Sequence, residues 1–103
     1  MIQHMVCLKF KSGVAGAEIE KLEKLMDALP NTIIEIQSYE FGRDVLRSER
    51  SYDFGLVSLF ANVEALQRYQ RHPDHLKVLE QIKSICDNVV VVDFDYEFAR
   101  GTD

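Results

Sequence analysis

The segment NVVVVDFDYEF, residues 88–98, is rich in β-branched and aromatic residues and carries no helical period, so it reads as a strand. Successive side chains of a strand point to opposite faces, and here both faces are apolar: Val90, Val92, Phe94, Tyr96 and Phe98 on one, Val89 and Val91 on the other. The segment from Tyr52 to Phe60 behaves the same way, with Tyr52, Phe54, Leu56 and Phe60 opposed by Val57 and Leu59. A sheet with helices on one side and water on the other alternates cleanly. These strands do not, so a sheet built from them needs cover on both faces. Helices supply one cover, and in a chain of 103 residues a second copy is the economical source of the other. The expectation is a two-fold homodimer whose sheets pack face to face. Burying roughly 500 Å² of apolar area there would contribute on the order of 12 kcal/mol before association costs.

The remaining elements follow from period and punctuation. Residues 2–11 put Ile2, His4, Val6, Leu8 and Phe10 on one face of a strand, and SGVAG breaks it. From about Ala17, Ile19, Leu22, Leu25, Met26 and Leu29 recur at helical spacing, and Pro30 with Asn31 is expected to stop that helix. A second strand fits within Ile34 to Arg43, and DVLRSERS has the polarity of an exposed hairpin loop. Asn62 is placed to N-cap a short helix carrying Ala65, Leu66 and Tyr69. Pro73 opens another helix with Val78, Leu79, Ile82, Ile85 and Cys86 on one face, and ARGTD is a tail. The order β-α-β-β-(αα)-β is that of an α+β, ferredoxin-like fold with a four-stranded antiparallel sheet, and no linker divides residues 1–103 into more than one domain.

Composition narrows the partners. The formal charge is −5, and no run of Lys or Arg forms a stripe that could track a phosphate backbone, so neither nucleic acid nor an anionic membrane is expected. No apolar run approaches a transmembrane length and the opening residues lack a signal-peptide pattern, which points to a cytoplasmic protein. Cys7 and Cys86 have no metal or redox spacing and read as buried free thiols.

The chemistry sits in YQRHPDH, residues 69–75, which holds two of the three histidines. The residue before a proline is pushed out of the helical region, so His72 becomes the extended N-cap and Pro73, Asp74 and His75 the first turn. Val78, Leu79 and Ile82 follow His75 at helical spacing, which turns His75 toward the sheet. Tyr69 shares a face with Ala65 and Leu66, and His4 shares one with Val6, Leu8 and Phe10. Three polar rings are thus expected to converge on an apolar cavity. Burial and the positive end of the helix dipole both disfavour imidazolium at His75, making it an acceptor or base, with Tyr69 as hydrogen-bond donor to a carbonyl or enolate oxygen and His4 as the orienting group. The plain alternative is that all three are core rings satisfied by backbone. A metal site from His72 and His75 lacks a third ligand, and no cofactor motif is present. Arg43, Arg47 and Arg50 are candidates to meet an acidic ligand at the loop mouth, or are solvated loop charges.

HMVCLKFK, SYEFGRD, SYDFGLVSLF, LQRYQRHPDH and VVVVDFDYE together resemble, in order and spacing, the stress-responsive A/B barrel (Dabb) family, over about His4 to Glu97. The resemblance implies a homodimeric α+β barrel. It also implies, from a polyketide-cyclising branch that performs a cofactor-free aldol condensation, an acid/base pair at Tyr69 and His75 with His4 lining the pocket. A further pocket histidine of that branch would fall where this chain has Phe54. The candidate site is therefore His75 and Tyr69 as catalytic residues with His4, Phe54 and His72 as binding residues, without metal or cofactor. Three functions fit: a stress-response barrel whose pocket performs cofactor-independent acid/base chemistry of a lyase, cyclase or isomerase on a small carbonyl compound, a non-catalytic dimeric ligand-binding or stress-related protein, or a cofactor-free monooxygenase-like barrel.

Overall fold

A computed structural model describes residues 1–97. The elements are β1 (Ile2–Phe10), α1 (Gly16–Thr32), β2 (Ser38–Arg43), β3 (Phe54–Phe60), α2 (Val63–Arg71), α3 (Pro73–Ile85) and β4 (Cys86–Asp95). The four strands pair antiparallel in the order β2-β3-β1-β4. This is the ferredoxin-like α+β fold expected from the element order. No helix among the described residues is long and apolar enough to cross a membrane.

Register sorts the side chains into two faces, because directly paired residues share a face. His4 lies between Ser58 and Asp93, Val6 between Leu56 and Val91, and Leu8 between Phe54 and Val89. Tyr39 and Phe41 extend the same face onto β2 opposite Ser58 and Leu56. This face carries the core: Leu8, Phe54, Phe60 and Tyr69 are almost wholly buried, as are Leu22, Met26 and Leu29 of α1. The other face has Met5 flanked by Val57 and Val92, and Cys7 flanked by Gly55 and Val90. Val92 there is 59% exposed, and Met5, Val57, Val90 and Phe94 are exposed with it.

Several boundaries differ from the sequence reading. Helix α1 is not stopped by Pro30 but runs through it to Thr32. A proline in the last turn forfeits one backbone hydrogen bond, and the bond from the Ile33 amide to the Leu29 carbonyl closes the helix beyond it. Strand β3 starts at Phe54, not Tyr52; the Asp53 carboxylate accepts from the Phe10 amide at 2.8 Å and anchors that entry. Cys86 begins β4 instead of ending α3, with extended φ of −112° and ψ of 139°. Phe98 and the ARGTD tail lie outside the described residues. Both thiols are free, Cys86 buried and Cys7 only half-buried on the open face. Burial pushes the Cys86 thiol up to about 11.

Candidate functional site

Asn62 caps α2, its side-chain oxygen accepting from the Ala65 amide at 2.8 Å. Two turns later this helix delivers Tyr69 onto β3 and β1, where its ring centroid lies 4.8 Å from Phe60 and 6.2 Å from His4. Pro73 then restarts the chain as α3. His72, at φ −64° and ψ 136°, caps this helix through Nδ1, which accepts from the Asp74 amide at 3.1 Å. That anchoring places His75 in the first turn, buried, with its ring 4.2 Å from that of Tyr69.

The hydrogen bonds assign the ring nitrogens. His75 Nδ1 lies 3.2 Å from the Gln70 carbonyl oxygen. A carbonyl can only accept, so Nδ1 carries a hydrogen and Nε2 is left with its lone pair. Burial holds the His75 pKa below its ordinary value; the Gln70 carbonyl pulls it back in part, and the charges of His4 and His72 add to the lowering. His75 is therefore a neutral acceptor near pH 7. His4 is buried and its Nδ1 hydrogen-bonds the Asp93 carboxylate directly across the sheet, which orients the second imidazole and leaves its Nε2 without a hydrogen-bond partner among the described residues. The Tyr69 hydroxyl meets that of Tyr39 at 2.9 Å. Burial, and then the neighbouring Tyr39, push the Tyr69 phenol far up; burial pushes Tyr39 up to about 12. Both are phenols, not phenolates, at any physiological pH.

The rings of His4, Tyr69 and His75 line one end of a cavity of about 370 Å³ between α3 and the helix-side face of β1 and β4. His4, Tyr69, Gln70 and His75 form its polar end, and Val6, Leu8, Leu56, Val78, Ile82, Val89 and Val91 much of the rest. Of the five candidate residues, the fold brings His4, Tyr69 and His75 together. It does not bring the other two. Phe54 is buried among rings, stacked on Phe41 at 5.9 Å and tilted against Phe10 at 6.1 Å, and His72 is occupied as a half-exposed cap. Arg43 grips Glu23 with contacts of 2.8 and 3.1 Å, and Arg47 pairs with Asp53 at 3.4 Å. Among the described residues no group of three or more His, Cys, Asp or Glu side chains is placed to hold a metal ion.

Two site residues escaped the sequence reading. Asp93 is the one acid in the run VVVVDF and, counted in steps of two from Val89 and Val91, shares their face; that count was the available signal. Tyr39 offered only its alternation with Phe41 across a short strand.

Comparison with known proteins places this arrangement. Residues 2–96 match the model of the Stress responsive A/B Barrel Domain. The chain is 30% identical to the stress-response A/B barrel domain-containing protein HS1 of Arabidopsis thaliana, over 90% of this chain and 87% of that protein. It is 27% identical to olivetolic acid cyclase of Cannabis sativa, over 90% of this chain and 94% of the cyclase. Among solved structures, a dimeric ferredoxin-like protein of unknown function from Thermobifida fusca superposes with a TM-score of 0.85 at 28% identity, covering 92% of this chain and 90% of that one. A match over nearly the whole chain, joined to the ferredoxin-like sheet, makes this protein a member of the stress responsive A/B barrel domain family.

Proposed function

We propose that the chain acts as a homodimer and takes a small, largely apolar carbonyl compound into the His4, Tyr69 and His75 cavity, where it moves a proton without a cofactor. The observation that carries this reading is the Nδ1–H bond from His75 to the Gln70 carbonyl, which leaves a neutral Nε2 on a ring that lines an apolar hollow. In the proposed step His75 Nε2 removes a proton from the carbon beside the carbonyl. The electron pair moves onto the carbonyl oxygen, and the imidazolium keeps its bond to Gln70. With Tyr39 donating to Tyr69, the Tyr69 hydrogen is free to meet the enolate oxygen. His4, held by Asp93, is the second group able to take or return a proton. The likeness to a cyclase supports a carbonyl substrate, and the description of a relative as dimeric supports the second copy.

Hydrogen–deuterium exchange beside the carbonyl of small ketones, followed by NMR in heavy water, tests the step with no knowledge of the natural substrate. The protein should accelerate exchange, and His75→Ala should remove about 10²- to 10⁴-fold of that acceleration. Ketones that bind without exchanging would favour the second reading, a ligand-binding barrel, which has one observation behind it: the Tyr69 hydroxyl already has a partner in Tyr39. The homodimer is tested by sedimentation. Val92→Glu, on the open face beside Met5, should leave monomers at micromolar concentration, and a variant that stays dimeric would move the interface elsewhere.

A further inference from the structure

Resting on the carbonyl-binding reading above, the geometry points to a ligand with two polar ends: we infer that the cavity accepts a medium-length keto acid, its ketone at His75 and its carboxylate at Lys83. The hollow is a trough with direction. Helix α3 runs along β1 from the His4 end, where His75 lies, to the Phe10 end, where the Lys11 amide donates to the Ile85 carbonyl at 2.7 Å. His75 and Lys83 both line it, eight residues apart, so the helix separates them by about 12 Å. Its floor keeps the same length: His4 faces Asp93 at the polar end, then Val6 faces Val91, then Leu8 faces Val89, a run of about 13 Å.

Chemically, the trough reads as hydrogen-bonding groups, then aliphatic walls, then one ammonium. Among the described residues Lys83 is the only Lys or Arg side chain lining it, and it takes part in none of their ion pairs. A cation in the last turn of a helix is favoured by the helix dipole alone, which explains a lysine there but not its place at the rim of an apolar hollow. Val89 and Val91 remain 42% and 49% exposed, apolar area that an alkyl chain lying in the trough would cover. A neutral ligand would meet everything except Lys83. An acid with its charge next to the ketone would leave the ammonium unpaired at the far end.

The test is calorimetric titration of the intact protein with two probes: a linear keto acid of roughly ten carbons with its ketone near the end remote from the carboxylate, sized to the span of about 12 Å, and its methyl ester. The acid should bind roughly fivefold more tightly, the upper end of what an ion pair to an exposed lysine contributes. The preference should shrink with added salt and be erased by Lys83→Gln with the ester's affinity unchanged. Lys83→Arg should keep it. A lysine that only complements its helix would change thermal stability in these variants and leave the ratio of acid to ester alone. Binding of both probes with no preference in the natural chain, or a preference that survives Lys83→Gln, overturns the keto-acid proposal and spares the carbonyl pocket. Failure of both probes to bind overturns the pocket reading and this proposal together.

Discussion

One layer of helices covers the sheet, yet the two halves beneath it are built differently. Over β2 and β3 the gap is filled by rings: Phe41 on Phe54, Phe60 against Tyr69, and Tyr39 reaching Tyr69 through its hydroxyl. Over β4 the helix-facing positions are Val89, Val91 and Asp93, and α3 answers with Val78, Leu79 and Ile82. Short β-branched side chains do not span the height that rings set on the other half, and the shortfall is the cavity. The aromatic half thus works as a spacer, and the chemistry of the other half depends on it.

The most drastic way to break this contrast is to remove a spacer. Phe54→Ala should lower stability by about 3–5 kcal/mol, because a wholly buried ring is lost and its cavity only partly collapses. Val91→Ala on the other half should stay below about 1 kcal/mol, since its side chain is half in solvent and already faces a void. Urea unfolding midpoints of the two variants decide it. Equal losses would mean that the halves carry the fold equally.

A finer probe sits where the halves meet. Tyr39→Phe deletes one hydroxyl and leaves that of Tyr69 buried without its partner, which should cost about 1–3 kcal/mol. Adding Tyr69→Phe should recover part of that loss, because replacing both members of a buried pair removes the unsatisfied group along with the bond. Thermal unfolding of the single and double variants reads the difference. A double variant weaker by the sum of the two single losses would show that the hydroxyls act independently.

The sequence carried the elements and the inward-facing rings of both halves well and the contacts between distant strands poorly, for reasons that lie in the residues. Period-two runs, the cap at Asn62 and the proline at position 73 are local signals, and each specified its element. The inward turn of His75 followed from helical spacing alone. What local signals do not carry is register across strands. That Asp93 meets His4, 89 positions away in sequence, is decided by how β4 lies on β1. The Tyr39 to Tyr69 contact likewise needs the order of four strands before it can be seen. Pro30 misled because a proline is read as a stop wherever it falls, whereas in a last turn it gives up only one bond. Phe54, matched to a pocket position by likeness, stands here as a ring of the spacer, a placement that only the packing of Phe41 and Phe10 on it reveals.

The smallest effect is a slope, and it bears on the cavity half alone. Burial depresses the pKa of folded His75, while in the unfolded chain it returns to about 6.5. Below that pH the unfolded chain binds a proton that the native state refuses. Stability therefore falls as pH drops from about 6.5, until native His75 itself takes a proton, and above pH 6.5 this contribution is fully present. His75→Gln can keep a donor toward the Gln70 carbonyl while removing the titration, so the difference in stability between it and the natural chain should change with pH below 6.5 and be flat above. His4 and His72 remain in both proteins and cancel in the comparison unless their coupling to His75 is large. A difference that stays flat through the acid range would mean that the His75 ring is as well solvated as a free histidine. The polar end of the hollow would then be as open to water as its valine end, and the shelter of the residue on which the proposed proton transfer depends would be lost.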